Sequence, residues 1–315
     1  MMIDERVMNG QERISFRLRS LYSRYGYERY RMSKFEEYDL YSRNKDFLFS
    51  ESVITFTDTT GKLMALKPDV TLSIVKNRRD TPGALQKLYY HENVYRVSTA
   101  ADGFREQTQV GLECMGAVDG ACVSEVLRLA AESLQLCSEQ FVLEISHLDI
   151  LNAFVDAIAP DVTIKEAILA CAGQKNLHGI TGICRDNGLP EGVEEGLKQL
   201  LSLYGTPRTV MPKIRALSEE YGAGEMAAEL GRAVACFTGS ELEDRIQIDF
   251  SSTGDLKYYN GIAFKGFISG IPGSVLSGGQ YDALMKKMGR KDKAIGFAVF
   301  LDMLERLTEE DGSRA

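Results

Sequence analysis

FREQTQVGLECMG, residues 104–116, is the stretch on which the fold turns. Its polar residues Gln107, Gln109 and Glu113 fall at even separations, and side chains of a strand alternate between faces, so Gln109 and Glu113 share one face. A buried amide and carboxylate need partners, and a ligand carrying an ammonium or imidazole group would supply them. A solvated sheet face, or a hydrogen-bond network internal to the protein, explains the same spacing. Upstream, GALQKLYYHENVYRVS reads as a partner strand, joined by a polar loop around Ser98 to Gly103. Asp69 and Thr71, just after Pro68, form a second small polar pair at i,i+2 with the same two readings.

Outward from this hairpin the chain alternates between sheet and helix. In QERISFRLRSLYSRYG, Ile14, Leu18, Leu21 and Tyr25 recur at helical spacing until Gly26 offers a terminus. DFLFSESVITFTDTTGKLMALKPD alternates around a TTGK turn and predicts a hairpin, with a short helix from VTLSIVKNRR behind it. ACVSEVLRLAAESLQLC predicts a helix of more than four turns, and FVLEISHLDILNAFVDAI a strand entering another helix. Residues 160–237 break into short helical patterns separated by glycine and proline, after which RIQIDFS, KYYNGIAFKGFISG and KAIGFAVF return to strand patterning. Sheet on both sides of a helical interruption predicts a core of residues 1–159 and 238–315 with a helical insertion at 160–237. The adjacent glycines of SGGQYDAL read as a turn, or as a place where a ligand approaches the backbone.

Composition narrows the function classes. The 315 residues are 44% hydrophobic, enough for substantial cores, and the net charge of -8 gives no global attraction for nucleic acid or an anionic membrane. Cys114, Cys122, Cys137, Cys171, Cys184 and Cys236 form no paired CxxC and are read as reduced, buried thiols. His91, His147 and His178 are scattered, so no metal centre or cofactor is expected. Neither a leader pattern nor a run of ~20 apolar residues appears, and the expected location is cytoplasmic.

Four stretches, in order, resemble the catalytic domain of class II histidyl-tRNA synthetases and its non-synthetase paralogue, the regulatory subunit of ATP phosphoribosyltransferase. LMALKPDVTLSIVK is similar to the substrate-binding L-R-P-E-x-T stretch, and YYHENVYRVSTADGFREQTQVGLECMG to motif 2 with its loop. GDLKYYNGIAFKG resembles the histidine-specific R-G-L-D-Y-Y segment, and GGQYDALMKKMGRKDKAIGFAVFLDML the region through motif 3. The resemblance implies an α+β, class II aminoacyl-tRNA synthetase-like fold: an antiparallel sheet flanked by helices, with a helical insertion and no anticodon-binding domain.

Carried over residue by residue, the family's histidine cradle is represented by Thr71, Gln109, Glu113, Tyr258 and Tyr259, with Asp69 standing for a glutamate and Arg105 for an arginine of the motif 2 loop. The charges for adenylate formation are not. Gly254 and Lys257 stand where the synthetases use arginine and aspartate, Tyr90 where an arginine contacts ATP phosphate unless Arg96 substitutes, and Met303 at the ATP-binding arginine of motif 3. Preorganised arginines stabilise the negative charge that develops in adenylation, and glycine or methionine cannot. The early segment lacks the motif 1 proline, and Gln280 replaces the arginine of G-G-R-Y-D. The resemblance therefore implies a non-catalytic regulatory subunit, partnered by a short-form ATP phosphoribosyltransferase catalytic subunit, with histidine as effector, self-association, and neither tRNA nor membrane as partner. A divergent adenylate-forming ligase and a synthetase-like adaptor that binds protein alone are the alternatives.

Overall fold

Strand propensity and alternation build the centre of the molecule, and a computed structural model describes residues 7–48, 53–78, 83–98, 103–159, 161–251 and 258–305. The strands are β1 (Glu28–Arg29), β2 (Phe35–Glu37), β3 (Thr55–Thr57), β4 (Leu63–Leu66), β5 (Leu85–Ser98), β6 (Gly103–Gly116), β7 (Phe141–His147), β8 (Tyr204–Gly205), β9 (Ile246–Asp249), β10 (Asn260–Ile268), β11 (Leu276–Gln280) and β12 (Lys293–Phe300). The helices are α1 (Gly10–Arg24), α2 (Tyr38–Ser42), α3 (Thr71–Asn77), α4 (Gly120–Cys137), α5 (Leu148–Ile158), α6 (Val162–Gly173), α7 (Leu177–Asp186), α8 (Glu195–Ser202), α9 (Pro207–Glu220), α10 (Gly224–Val234) and α11 (Asp282–Lys287).

Nine strands form one sheet in the order β1-β5-β6-β12-β11-β10-β7-β9-β8. Every junction is antiparallel except β1 with β5 and β7 with β9. The predicted hairpin of β5 and β6 is in register along its whole length, from Leu85 opposite Gly116 to Ser98 opposite Gly103. A second sheet, β2-β4-β3, contains the hairpin predicted around TTGK. The Gly278–Gly279 pair lies inside β11, a central strand, and not in a turn.

One face of the large sheet carries the main core. Val110 and Leu112 of β6, Ile295, Phe297 and Val299 of β12 and Leu276 of β11 pack there with Leu18 of α1 and Val126, Leu127 and Leu134 of α4. Each such side chain, removed from water, stabilises the fold by about 1.5–3 kcal/mol. Both helices begin with a capping side chain: Asn9 and Glu12 form a capping box at α1, and Asp119 accepts from the Cys122 amide at α4. Such caps contribute about 1 kcal/mol each. Ile168, Leu197, Ile214 and Leu230, from α6, α8, α9 and α10, join the same buried cluster, while β8 extends the sheet edge.

The opposite face holds a second cluster, in which Val70, Leu72 and Ile74 of the α3 segment and Leu284 and Met285 of α11 meet Leu88, Tyr90, Tyr258 and Tyr281. Lys67, fully buried, pairs with Glu92 at 2.5 Å and ties the α3 entry to β5. Among the described residues, no helix is long and apolar enough to cross a membrane. All six cysteines are unpaired; Cys114 and Cys184 are buried, and the other four are partly exposed.

Candidate functional site

Strand register assembles the site's floor. Tyr90 lies opposite Gly111, Gly111 opposite Ala298 and Ala298 opposite Ser277. One pleat along, Leu88, Glu113, Gly296 and Gly279 form the next row. The residues between them in sequence face the helical core, so these rows point to the other side. Small residues at the middle of both rows leave a depression. A Cβ at Gly296 would lie 1.8 Å from Glu113 Oε2, and one at Gly111 2.4 Å from the Tyr90 hydroxyl. The missing side chains are therefore what lets the carboxylate and the phenol lie over the sheet.

The resulting cavity is lined by Asp69, Thr71, Gln109, Glu113, Tyr258 and Tyr259, together with Tyr90, Arg96, Ser277, Tyr281 and the floor residues. Three tyrosines make an aromatic wall: the Tyr258 and Tyr259 rings meet edge to face at 4.8 Å, and Tyr281 is 6.3 Å from Tyr258. Glu113 is the polar centre. Its Oε1 accepts from the Thr71 hydroxyl at 2.7 Å and its Oε2 from the Tyr281 hydroxyl at 2.6 Å. Burial pushes its carboxyl up to about 8, against the opposing pull of those two hydroxyls. Both donors are neutral, so the carboxyl, once ionised, retains acceptor capacity for a cationic or N–H group.

Asp69 has a structural role as well as a place in the wall: its Oδ1 accepts from the Leu72 amide at 2.8 Å and caps the first turn of α3. Burial raises its carboxyl, while the Leu72 amide and the nearby Arg96 guanidinium oppose that rise. Arg96 donates through Nε to the Pro68 carbonyl at 3.3 Å. Gln109 Nε2 and Ser277 Oγ are buried and have no hydrogen-bond partner among the described residues.

Six of the seven residues expected from the sequence thus converge on one cavity. Arg105 is exposed near the outer end of β6, in an adjoining open cavity with Glu106, Ser274, Asp302, Met303 and Glu305. Arg96 and Phe300 border both spaces. Asp302 accepts from the Thr108 amide there at 3.2 Å. Gly254 and Lys257 lie outside the described residues. Among the described residues no group of three or more histidine, cysteine or carboxylate side chains is placed to hold a metal ion. Sequence reading missed Ser277, Tyr281, Gly296 and Ala298 as parts of the site. Their signal is the pairing of β6 with β12, which joins segments more than 150 residues apart in the chain, and of β12 with β11.

Comparison with known proteins agrees with this architecture. The chain is 28% identical over 304 residues to the ATP phosphoribosyltransferase regulatory subunit of Clostridium kluyveri, covering 94% of this chain and 77% of that one. It is 29% identical to that of Caldanaerobacter subterraneus, over 92% and 76% of the two chains. Among solved structures, an ATP phosphoribosyltransferase regulatory subunit/histidyl-tRNA synthetase from Bacillus halodurans superposes with a TM-score of 0.82 at 24% identity, over 93% of this chain and 78% of the other. The ATP phosphoribosyl transferase (HisG:HisZ) complex from Thermotoga maritima gives 0.72 at 19% identity, over 93% and 97%. The class II synthetase-like fold expected from the motifs is the observed one. With residues 3–304 matching the family model described as histidyl-tRNA synthetase, the chain belongs to the histidyl-tRNA synthetase family.

Proposed function

We propose that this chain is the non-catalytic regulatory subunit of a heteromeric ATP phosphoribosyltransferase, working in the cytoplasm with a short-form catalytic subunit and binding histidine as its feedback effector. The observation that carries the proposal is a division between two adjoining cavities. The inner one keeps a fully buried carboxylate, hydroxyls that orient it and an aromatic wall, a lining suited to an amino acid with a nitrogen-bearing ring. The outer one has Met303 and the carboxylates Glu106, Asp302 and Glu305 around it, set against Arg96 and Arg105. That is a poor environment for a polyphosphate, whose transfer chemistry needs preorganised positive charge. The names of the relatives add the role and the partner.

In this reading Glu113 accepts an N–H of histidine, with Thr71 and Tyr281 holding its oxygens, and Tyr258 and Tyr259 enclose the ring. The free hydrogens of Gln109 Nε2 suit an acceptor atom on the ligand. Residues 160–237 serve as a helical insertion in a core of residues 1–159 and 238–315; the five helices α6 to α10 there support that division, while β8 between α8 and α9 ties the segment to the edge of the core sheet. The chain associates with itself as well as with the catalytic subunit, and does not act on tRNA.

The test mixes the purified chain with its organism's short catalytic subunit and follows complex mass, phosphoribosyl transfer and histidine inhibition together. A species larger than either component, with higher activity and sensitivity to histidine, is expected. Equal catalytic activity with and without this chain overturns the regulatory role. Histidine-dependent ATP-pyrophosphate exchange by the isolated chain, at rates of about 1–1000 per second, would establish the ligase alternative.

A further inference from the structure

Ser277 occupies a position that nothing in the fold itself uses. It lies in β11, a central strand whose backbone is committed to the ladders with β10 and β12, and its side chain faces the cavity on the row of Gly111 and Ala298. The residue is 7% exposed, yet its hydroxyl has no partner among the described residues. Buried hydroxyls are nearly always bonded, so an unpaired one facing a cavity marks a place where something else completes the bond. Gln109 Nε2, 4% exposed as a residue, is unpaired on the same sheet face.

The register gives the spacing. Glu113 Oε2 lies over Gly296, which pairs with Gly279, and Ser277 is the residue two before Gly279 on the same strand. Ser277 and Gly296 are therefore diagonal neighbours, roughly 7–8 Å apart between Cα atoms. The Glu113 carboxyl and the Ser277 hydroxyl therefore face one cavity from adjacent rows of the sheet. Ala298 and Gly296 beneath it offer no bulk.

We propose that Ser277 is a ligand-contacting, specificity-determining residue that hydrogen-bonds the ring nitrogen on the far side of the ligand from Glu113. The inference rests on the reading of this cavity as a histidine site. It adds a selector for a ring with nitrogens on two sides over rings of similar shape without them. A hydroxyl serves as donor or acceptor, so it accommodates either form of that nitrogen.

The experiment compares wild type with Ser277→Ala by isothermal titration, using L-histidine and 3-(2-thienyl)-L-alanine, a near-isostere whose ring has no nitrogen. The variant is expected to bind histidine roughly threefold to tenfold more weakly, as for loss of one neutral hydrogen bond. Its affinity for the thienyl analogue should match that of wild type. Its melting temperature without ligand should equal or exceed the wild-type value, because a buried unpaired hydroxyl is removed. Histidine affinity unchanged in the variant overturns the role of Ser277 while leaving the histidine site standing. Equal weakening of both ligands, or a lower melting temperature, reassigns Ser277 to packing and overturns it too. Failure of wild type to bind histidine overturns both the site and the selector, and is read without reference to the variant.

Discussion

Glu113→Gln separates the two things this side chain does, because the substitution keeps shape while abolishing ionisation. In the native protein the carboxyl is held by Thr71 and Tyr281 at 2.7 and 2.6 Å, and burial moves it from 4.5 to about 8. The folded state therefore keeps a proton that the unfolded chain gives up from about pH 4.5 upward. Below that pH the group has no effect on stability. Between 4.5 and 8 stability falls as pH rises, by a total on the order of a few kcal/mol, before levelling off. Glutamine removes this slope, so the variant's stability by urea titration should change less between pH 5 and 8 than that of wild type. Histidine binding should respond in the opposite sense. Where the carboxyl is ionised, a charge-assisted bond to the ligand contributes about 1.5–3 kcal/mol, so affinity measured by titration calorimetry above pH 8 should drop roughly tenfold to a hundredfold. Because binding at one site and inhibition at another are thermodynamically linked, the histidine concentration that inhibits the assembled complex should rise by a similar factor. Unchanged affinity in a variant that folds and assembles would refute Glu113 as a ligand contact. Stability profiles that superimpose from pH 5 to 8 would refute the raised carboxyl.

Two further substitutions probe the frame around the site. Gly296→Ala places a Cβ 1.8 Å from Glu113 Oε2 and 2.5 Å from the Leu112 carbonyl, so it should displace the carboxylate and abolish measurable histidine binding; retention of wild-type affinity shows that the floor tolerates bulk. Lys67→Ala leaves Glu92 without its buried partner and should destabilise the protein by about 3 kcal/mol in urea titration, and a loss under 1 kcal/mol shows that the pair contributes little.

The parts of this protein that were legible in sequence are those encoded locally. The alternation of Gln109 and Glu113 with Val110 and Leu112 specified a two-faced strand, and the structure puts the polar pair in the cavity and the apolar pair in the core. The helical spacing of Leu18 and Leu21 likewise became the buried side of α1. Gly278 and Gly279 read in sequence as a turn, or as a place of close approach to the backbone, because glycine pairs lack strand propensity; the structure puts them in a strand. What holds them in β11 is close approach from outside the strand: a Cβ at Gly279 would meet the Tyr259 ring at 2.8 Å, and one at Gly278 would meet the Phe297 Cβ at 2.4 Å. Ser277 was invisible for the same reason, since only the pairing with β12 reveals which face it takes. The cap formed by Asp69 was also missed. An aspartate three residues before an amide it accepts from is a local signal, and the resemblance alone implies only the ligand contact.

The strand order also fixes when in the life of the chain the site can exist. β12 lies between β6 and β11, and it supplies Gly296 and Ala298 to the floor. Synthesis passes Gly116 at the end of β6 and must continue to Lys293 before β12 begins. At 5–20 residues per second that interval is roughly 10–35 s. Throughout it the nascent chain holds Glu113 on a strand with one neighbour missing, and its long-range closure is of the kind that folds slowly. A chain cut short of Lys293 has the residues of motif 2 but no cavity. On the proposed reading, the effector cavity is thus completed in a single late step, when β12 inserts between β6 and β11.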